Sequence, residues 1–574
     1  MVREVEVAKN GAAAALDSPE KIWLKSYHPS IPAVLPPLSH QNVAALLLDA
    51  CRKFSSRPAF RLMGKSMSFA EVDAHSAALG AYLQSLGLTK GARVALMMPN
   101  ILQYPVAILA VLRAGFSVVN VNPLYTAREL EHQLNDSGAE TIIIIENFAT
   151  TLQTVLPKTK IRNIIVTGVG DMLGLKGHVV NFVLRHVKKA VPSFSLPGAV
   201  RFNAALAAGR GMSLQAVDIA EKDVAFLQYT GGTTGVSKGA TLTHSNIMSN
   251  MAQNGYWLKP VTEARGVPDD MVFICALPLY HIFALTVCMM QGMELGGCNL
   301  LIPNPRDMPG FVKELQKSKM HFFPGLNTLF NGLMNNPDFA KLDFSSMLLT
   351  MGGGMAVQSS VAERWEKMTG HVIHEGYGLS ETSPVATANP FDIKKYTGTI
   401  GLPLPSTDIA IRDDDGNDLP HGEVGEICIR GPQVMAGYWQ RPDETAKVMT
   451  PDGFFKSGDM GFMDPNGYTK IVDRKKDMVL VSGFNVYPNE VEEVIASHPG
   501  VLECAVVGVK DEQTGEAVKL FVVKKDPNLT EESLREFCLD KLTNYKRPKH
   551  IVFRNDLPKT NVGKILRREL RDAK

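Results

Sequence analysis

Residues 229–239 of the chain read YTGGTTGVSKG and directly follow the apolar, strand-like run 224–227. Glycines let a backbone adopt positive φ angles and bring its N–H groups close to an anion. The threonine and serine hydroxyls donate further hydrogen bonds, and Lys238 adds a positive charge. This composition predicts a phosphate-binding loop, for which an ordinary glycine-rich turn is the simpler alternative.

The position of the lysine in this loop separates it from the Walker A loop. Lys238 follows Ser237 and precedes Gly239, whereas a Walker A loop requires G-x-x-x-x-G-K-[ST]. A P-loop NTPase is therefore disfavoured.

The composition is that of a large and nearly neutral globular chain. Its 574 residues are 45% hydrophobic and 21% charged, which is enough for large cores and at least two domains. The 60 basic and 58 acidic residues leave a net charge of +2, so no overall field favours nucleic acid as a partner. The seven cysteines include no C-x-x-C pair, which indicates buried thiols in a reducing cytoplasm.

The chain contains no segment that we identify as a secretory signal or a membrane span. Residues 1–20 lack a periodic pattern and are expected to form a disordered tail. The most apolar stretch, residues 271–303, is interrupted by Pro278, His281 and Glu294.

Apolar periodicity predicts an α/β fold with a large N-terminal domain of layered sheets and helices. Helical spacing is found at residues 42–54, 103–114 and 127–137, and strand-like runs at 92–98 and 141–145. Strands that alternate with helices indicate a largely parallel, covered sheet.

A smaller α+β domain is predicted at the C-terminal end of the chain. Residues 489–496 and 531–542 have helical spacing, and residues 504–509 and 518–523 resemble strands. The charged run 473–477 would be costly in a core and marks the boundary between the domains. The predicted division is a tail at 1–20, a large domain at 21–472, a hinge linker at 473–477 and a small mobile domain at 478–574.

One segment differs from the alternating pattern. In residues 176–192 apolar side chains recur at helical spacing, while Arg185, Lys188 and Lys189 lie toward another face. A basic amphipathic helix can rest on a membrane surface. The alternative is an ordinary helix packed on the core.

Several short motifs carry candidate site residues. PLYHIF at 278–283 contains His281, and LTMGGGMA at 349–356 offers backbone without side chains for a flat ring. EGYGLSET at 375–382 combines an aromatic ring, a hydroxyl and the carboxylate of Glu381, which suits Mg²⁺. Each motif also has a structural explanation as a capped strand or a tight turn.

Two further motifs lie toward the C-terminal end. DGFFKSGD at 452–459 places Asp459 as an acceptor for ribose hydroxyls, with Arg474 as a nearby donor. PKTNVGKILRR at 558–568 places Lys564 after a glycine on an apparently exposed loop, from which it can swing into a site of the large domain. The alternative for the first motif is a solvated turn, and the alternative for the second is a basic C-terminal tail.

The order and spacing of these motifs resemble the adenylate-forming superfamily, which includes acyl-CoA synthetases, over nearly all of residues 22–568. Residues 452–477 resemble the fatty acyl-CoA synthetase signature, and the wider context looks like the bacterial long-chain fatty-acid–CoA ligases. Two departures are small. Ser380 replaces the usual threonine, and Ala356 stands where proline is common.

The resemblance implies the roles of individual residues. Catalytic roles fall to Lys564, His281 and Glu381, and Mg²⁺ to Thr233 and Glu381. ATP binding falls to Thr230, Gly231, Gly232, Thr233, Thr234, Gly235, Lys238, Gly352, Gly353, Tyr377, Ser380, Asp459 and Arg474. Lys476 is the implied hinge, and Gly483 the implied contact for coenzyme A.

The implied function is ATP-dependent ligation of a long-chain fatty acid to coenzyme A through an acyl-adenylate, with release of AMP and pyrophosphate. The alternatives are a medium-chain or aryl acid–CoA ligase, an acyl-AMP ligase that loads a carrier protein, a luciferase-like oxygenase and a nucleotide-binding regulator without catalysis. The expected partners are ATP, fatty acid, coenzyme A and a membrane surface, but not nucleic acid. The expected location is the cytoplasm, peripherally on the inner membrane, and a homodimer remains an open alternative.

Overall fold

The computed structural model describes residues 21–230, 237–560 and 563–571. The predicted tail at 1–20 lies outside this part. The helices of the described part are α1 (Val43–Lys53), α2 (Phe69–Ser85), α3 (Gln103–Arg113), α4 (Ala127–Ser137), α5 (Ala149–Val155), α6 (Leu175–Phe182), α7 (Phe202–Arg210), α8 (His244–Arg265), α9 (Gln291–Glu294), α10 (Met308–Leu315), α11 (Asn327–Met334), α12 (Ser359–Thr369), α13 (Pro442–Val448), α14 (Pro488–Ala496), α15 (Glu531–Leu539) and α16 (Arg567–Arg571).

The strands are β1 (Pro58–Leu62), β2 (Lys65–Ser68), β3 (Arg93–Met97), β4 (Ser117–Asn120), β5 (Thr141–Ile145), β6 (Asn163–Thr167), β7 (Val200–Arg201), β8 (Val224–Thr230), β9 (Lys238–Thr243), β10 (Val272–Cys275), β11 (Cys298–Leu301), β12 (Phe322–Gly325), β13 (Leu349–Gly352), β14 (Ile373–Gly378), β15 (Val385–Ala388), β16 (Leu402–Pro403), β17 (Asp408–Arg412), β18 (Gly425–Arg430), β19 (Phe455–Met463), β20 (Thr469–Arg474), β21 (Val479–Val481), β22 (Phe484–Val486), β23 (Val501–Asp511), β24 (Gly515–Lys524) and β25 (His550–Arg554).

The large domain is built around two extended sheets of the described residues. One has the order β7-β6-β5-β3-β4-β8-β9, and the other has the order β16-β15-β14-β13-β12-β10-β11-β1-β2. Most neighbouring strands within them are parallel, with antiparallel pairs at or near the sheet edges. Side chains from both sheets and from helices α1, α2, α3 and α8 form one large hydrophobic core. The prediction of a layered, largely parallel α/β domain is confirmed.

The predicted helices of this domain begin and end within one residue of α1, α3 and α4. Their ends are set by local capping. The Asn42 side chain accepts a hydrogen bond from Ala45 N at the start of α1, and Thr126 and Glu129 form a capping box at the start of α4. Such caps satisfy N–H groups that have no partner within the helix.

A four-stranded antiparallel sheet, β17-β18-β19-β20, leads from the large domain to the small one. The small domain contains the sheet β22-β21-β24-β23, with β25 beside β24, and helices α14, α15 and α16. Its two hydrophobic clusters contain residues of this domain alone. The predicted α+β domain is therefore present, although α15 ends at Leu539 and not at residue 542.

The structure corrects the prediction for residues 176–192. Helix α6 spans Leu175–Phe182 and continues only as a π-helical turn to Val187. Arg185 donates two hydrogen bonds to the buried Glu146, from Nε at 2.9 Å and from Nη2 at 2.8 Å. Because this pairing fixes the guanidinium against the core, Arg185 does not belong to an outward basic face.

Several apolar side chains of this segment are exposed, unlike those of a helix packed on the core. Leu175, Val179, Phe182 and Val187 have exposed fractions of 87%, 63%, 58% and 65%. Lys188 and Lys189, just beyond the helix, are exposed as well. The outer surface of α6 therefore carries exposed apolar side chains beside Lys176 and His178, and Lys188 and Lys189 follow the π-helical turn. Among the described residues, no helix combines the length and apolarity needed to cross a bilayer.

All seven cysteines are buried and unpaired, which agrees with the prediction of core thiols. Met289, Met290 and Met293 are also fully buried in the main core. These methionines fill ordinary core positions.

Candidate active site

Strands β8 and β9 hold the two ends of the glycine-rich loop. Thr230 ends β8 and pairs with Lys238, the first residue of β9. The candidate residues Gly231, Gly232, Thr233, Thr234 and Gly235 lie outside the described residues. Lys238 Nζ lies 2.6 Å from Glu444 Oε2 and 4.8 Å from the centre of the Tyr438 ring. The ion pair lowers the pKa of Glu444 to about 2.

Glu381 lies in a short 3₁₀ turn, Ser380–Thr382, directly after β14. Its Oε1 accepts a hydrogen bond of 2.8 Å from the Tyr438 hydroxyl. Burial raises the pKa of Glu381, while the Tyr438 hydrogen bond and the charge of Arg474 oppose this shift. Ser380 is partly exposed in the same turn. The buried carboxylate, which is costly to keep charged without a partner, is suited to binding a cation.

Tyr377, Asp459 and Arg474 form a second polar group. The Tyr377 hydroxyl donates a 2.7 Å hydrogen bond to Asp459 Oδ2, and Arg474 Nε lies 3.3 Å from Asp459 Oδ1. Strands β19 and β20 pair Asp459 directly with Arg474, so the hairpin places both predicted ribose residues side by side. Burial raises the pKa of Asp459, and Arg474 opposes the shift.

The glycines after β13 leave space in the middle of the site. A Cβ atom at Gly353 would lie 3.0 Å from the Phe283 ring and 3.2 Å from Gly376 O. Gly354 has a φ of +77° and would bring a Cβ within 3.6 Å of Lys564 Cε. Side chains at these two positions would fill the space between β13, β14 and the C-terminal loop.

His281 lies in the turn before Phe283, and its Nδ1 accepts a 3.3 Å hydrogen bond from Phe283 N. Burial and the nearby charge of Lys564 lower the pKa of His281 to about 3. The imidazole is therefore neutral at physiological pH. With Nδ1 as the acceptor, the hydrogen-bond geometry assigns the proton to Nε2.

Lys564 comes from the small domain but lies within the site of the large domain. Its Nζ would be 3.9 Å from a Cβ at Gly354, and it interacts electrostatically with Asp459, Glu381 and Arg474. Burial and the charge of Arg474 lower the pKa of Lys564 to about 8, against the opposing effect of the two carboxylates. The loop is thus not exposed as the sequence suggested, but is inserted between the domains.

Polar contacts hold the small domain in this position. Thr328 Oγ1 donates a 3.1 Å hydrogen bond to Gly563 O, next to Lys564. Farther away, Ser359 N at the start of α12 donates a 3.0 Å hydrogen bond to Glu493 Oε1. These contacts position the Lys564 loop without joining the two hydrophobic cores.

The candidate hinge residue Lys476 is exposed in the turn after β20. Partial desolvation and the charge of Arg474 lower its pKa to about 8, and it also interacts electrostatically with Asp459. The candidate coenzyme A residue lies farther along the chain, in the small domain. Gly483 lies with Ser482 in the exposed turn between β21 and β22, and their φ angles are +84° and +50°. The structure therefore brings Lys564, but not Gly483, to the site.

Sequence reasoning missed Tyr438 and Glu444. Both precede β19, in the segment GYWQRPDE at 437–444. Tyr438 contacts Glu381, and Glu444 contacts Lys238. The sequence feature that could have indicated this segment is the aromatic pair Tyr438 and Trp439 beside a glycine. The residues that the segment contacts are distant in the chain, so the pattern alone does not reveal them.

A large domain whose acidic, aromatic and cationic side chains are completed by a lysine from a smaller domain is the architecture of the adenylate-forming enzymes. Two family matches agree with it. Residues 47–439 match the AMP-binding enzyme family, and residues 490–564 match the AMP-binding enzyme C-terminal domain. The chain belongs to the AMP-binding enzyme family.

Curated relatives match almost the whole chain. A long-chain-fatty-acid–CoA ligase of Yersinia pestis is 55% identical over 96% of this chain and 98% of its own length. The enzyme of the same name from Escherichia coli O6:H1 is 54% identical, and that from Bacillus subtilis is 39% identical, with the same coverage of both chains. The enzyme class predicted from the sequence is therefore confirmed.

Solved structures support the same fold. An anthranilate CoA ligase in complex with anthranoyl-AMP matches with a TM-score of 0.81 at 24% identity, covering 94% of this chain and 98% of its own. ATP-bound MatB from Rhodopseudomonas palustris matches with a TM-score of 0.75 at 29% identity, covering 92% and 98%. The predicted fold class is confirmed.

Proposed function

We propose that this chain ligates a long-chain fatty acid to coenzyme A in two steps, through an acyl-adenylate. The observation that carries the proposal is the position of Lys564, which reaches from the small domain into the site beside Asp459, Glu381 and Arg474. A mobile cation among fixed acidic and aromatic groups suits a reaction in which phosphate charge develops and is then released.

In the first step a carboxylate oxygen of the fatty acid attacks the α-phosphorus of ATP, and the bond to the bridging oxygen of the β-phosphate breaks. Pyrophosphate leaves with the electron pair. The carboxylate is already ionised at neutral pH, so this step needs no general base. We assign stabilisation of the phosphates to Lys564, Lys238 and the loop 230–235, and the ribose to Asp459 and Arg474.

The adenine ring is assigned to the space beside Gly352, Gly353 and Tyr377, with Ser380 as a nearby donor. If ATP binds as proposed, its phosphates compete with Glu444 for Lys238. The 2.6 Å ion pair therefore has to open, and Glu444 keeps the lysine ordered until the nucleotide arrives.

Mg²⁺ fits the residues available for it. Glu381 supplies a buried carboxylate, and Thr233 would supply a hydroxyl from the glycine-rich loop. Mg²⁺ often uses only one or two protein oxygens and completes its shell with water and phosphate. The described residues contain no cluster of three or more His, Cys, Asp or Glu side chains suited to a metal. When bound, the ion would neutralise phosphate charge.

In the second step the sulfur of coenzyme A attacks the acyl carbonyl carbon, and its thiol proton passes to solvent. The bond from this carbon to the phosphate oxygen breaks, and AMP leaves with the electron pair. We assign the approach of coenzyme A to the turn at Gly483, after rotation of the small domain about Lys476. The turn is exposed, and a Cβ at Gly483 would meet no atom of the described part of the chain within 4 Å. A narrow ligand arm can therefore pass close to its backbone.

An apolar cavity supports an aliphatic substrate. The cavity is lined mainly by side chains of β10, β12, β13 and the helical segment after His281. These side chains include Phe273, Val287, Phe322, Leu349 and Met351. The described lining offers no charged group to the second carboxylate of a dicarboxylic acid. It favours a saturated hydrocarbon chain.

The proposed function is tested by measuring pyrophosphate release and acyl-CoA formation with purified protein, ATP and Mg²⁺. Octanoate, decanoate, palmitate and benzoate are compared, with and without coenzyme A. We expect palmitoyl-CoA formation that requires both ATP and coenzyme A. Pyrophosphate release with benzoate alone, or no thioester with any acid, would contradict the proposal.

We expect adenylation to decline above about pH 8, because the protonated ammonium of Lys564 is the active form and its pKa is lowered to about 8. The pH dependence of kcat/KM reports groups of the free enzyme. Lys564→Arg remains charged at this pH and should shift the decline upward. An unchanged alkaline limb in this variant would assign the titration to another group.

We also propose that the chain docks on an anionic membrane through α6, although not in the manner that the sequence suggested. Insertion of Val179 and Phe182 would bury apolar surface that is now exposed, and Lys188 and Lys189 would face lipid headgroups. Arg185 is excluded because it pairs with Glu146. Each lysine would add about 1 kcal/mol near anionic lipid.

Vesicle co-sedimentation tests this docking mode. Val179→Ser/Phe182→Ser should weaken binding about tenfold or more, because two apolar side chains no longer enter the bilayer. Lys188→Glu/Lys189→Glu should weaken binding mainly at low salt. Val34→Ser, at a site that is 68% exposed elsewhere, is the control. Equal binding of all variants would refute docking through α6.

A further inference from the structure

The helical segment after His281 connects two separate spaces in the large domain. Phe283 faces the Gly353 backbone, and Val287 and Gln291 line the apolar inner cavity. One turn farther, Glu294 lines a second space, which we call the outer groove. The rise from Phe283 to Glu294 is about 16 Å at about 1.5 Å per residue. One helix face thus leads from the reaction centre to the outer groove.

The outer groove lies between the N-terminal segment and α8. Its lining combines polar side chains with apolar ones, the polar ones being Ser39, His40, Lys259 and Glu294 and the apolar ones including Pro36, Leu38, Leu46, Met248 and Met251. Methionine side chains adapt to flexible apolar ligands. The apolar part of the groove therefore offers contacts to a hydrocarbon chain, although the groove is more polar than the inner cavity.

A polar pair lies between the two spaces. Gln291 Nε2 donates a 2.9 Å hydrogen bond to Glu294 Oε2, and Gln291 Oε1 has no partner within the described residues although it is buried. Burial raises the pKa of Glu294 to about 7, with Gln291 and Lys53 opposing. Within the part of the chain that the structure describes, the Gln291 amide is held by a hydrogen bond at Nε2 but not at Oε1, so its side chain can move aside at little cost.

Gly255 has no packing reason to be a glycine. It lies in the interior of the 22-residue helix α8, where glycine is destabilising relative to alanine. Among the described residues, a Cβ there would meet Gln291 Nε2 alone, at an ordinary 3.9 Å. Because Gly255 lines the groove and the preceding Asn254 lines the inner cavity, the missing side chain leaves space at their junction.

We infer that this junction is a passage through which the methyl end of a long acyl chain leaves the inner cavity and enters the outer groove. Gln291 and Glu294 form its movable barrier, and Gly255 keeps it open. Short chains end within the inner cavity and do not reach the barrier. This inference rests on the proposed function and adds a binding site for the distal part of the substrate.

A cysteine at position 255 tests the passage directly. The seven native cysteines are buried, so Gly255→Cys introduces an accessible thiol for N-ethylmaleimide. Palmitate should slow its alkylation, whereas octanoate should not. The kinetics of alkylated and unalkylated Gly255→Cys protein are then compared. Alkylation should lower kcat/KM for palmitate about tenfold or more, because the added group overfills the passage. It should change kcat/KM for octanoate by no more than about twofold.

Glu263→Cys, on the exposed part of α8 outside the groove, is the matched control and should label without either effect. If Gly255→Cys does not fold, Tyr256→Cys, which also lines the groove, carries the same measurement. Equal losses for both acids, or alkylation that palmitate does not slow, overturn the inference. Failure of the wild type to form either acyl-CoA would instead overturn the proposed function.

Discussion

Replacing Lys564 with alanine is expected to slow acyl-adenylate formation by about 10²–10³-fold, because one positioned donor to a developing charge typically contributes that much. Transfer of the acyl group from preformed acyl-adenylate to coenzyme A should be largely preserved, since the proposed rotation removes Lys564 from the site before this step. Pyrophosphate release measures the first step. Thioester formation from synthetic palmitoyl-AMP measures the second.

Lys559→Ala is the matched control for loss of a lysine from the same loop. Lys559 lies 2.7 Å from Glu503 within the small domain, so its removal changes the charge without removing the group beside Gly354. Comparable losses in both half-reactions of Lys564→Ala would mean that Lys564 supports the fold of the loop or acts throughout. That result would remove its assignment to adenylation.

Replacing Lys476 with proline is expected to leave acyl-adenylate formation nearly intact while lowering acyl-CoA formation by roughly 10²-fold or more. Proline restricts φ and also the conformation of the residue before it, so a backbone that must change its torsions there is held in one state. The structure already has Lys564 in the site, and this is the state in which the variant should remain.

Lys476→Ala separates the backbone effect from the loss of the ammonium. Its ammonium interacts electrostatically with Asp459 and Arg474, so loss of charge alone can alter the site. We expect Lys476→Ala to retain both steps to a greater extent than Lys476→Pro. Equal defects in the two variants would show that the charge matters and that the hinge lies elsewhere.

Rotation at Lys476 has a structural cost that the contacts identify. Asp473, before the hinge, accepts a 2.7 Å hydrogen bond from Asn489 N and a 3.0 Å bond from Arg567 Nη1. Asp477, after the hinge, pairs with Arg571 at 2.6 Å. The proposed rotation would break these contacts of Asp473 but keep the pair between Asp477 and Arg571, because both of its members lie on the small-domain side of the proposed hinge. The separate hydrophobic cores would remain intact.

Much of the fold could be predicted from local patterns. The 103–114 and 127–137 helices and the strand at 141–145 follow directly from apolar spacing and capping residues. The orientation of the side chains in segment 176–192 was harder to predict. Its apolar spacing predicted a helix, but the spacing could not show that Arg185 turns inward to Glu146, 39 residues away.

The sequence by itself determined the family, the enzyme class and the two-domain order, because these depend on motifs whose residues are close together in the chain. Tertiary structure decided how the motifs meet. Lys238 and Glu444 are 206 residues apart, and Tyr438 and Glu381 are 57 residues apart, yet each pair is in contact. The position of Lys564 beside Gly354 and the junction at Gly255 likewise depend on packing between distant elements. The spacing of residues along the sequence does not show which distant side chains will come into contact in a buried site, where their charges interact strongly.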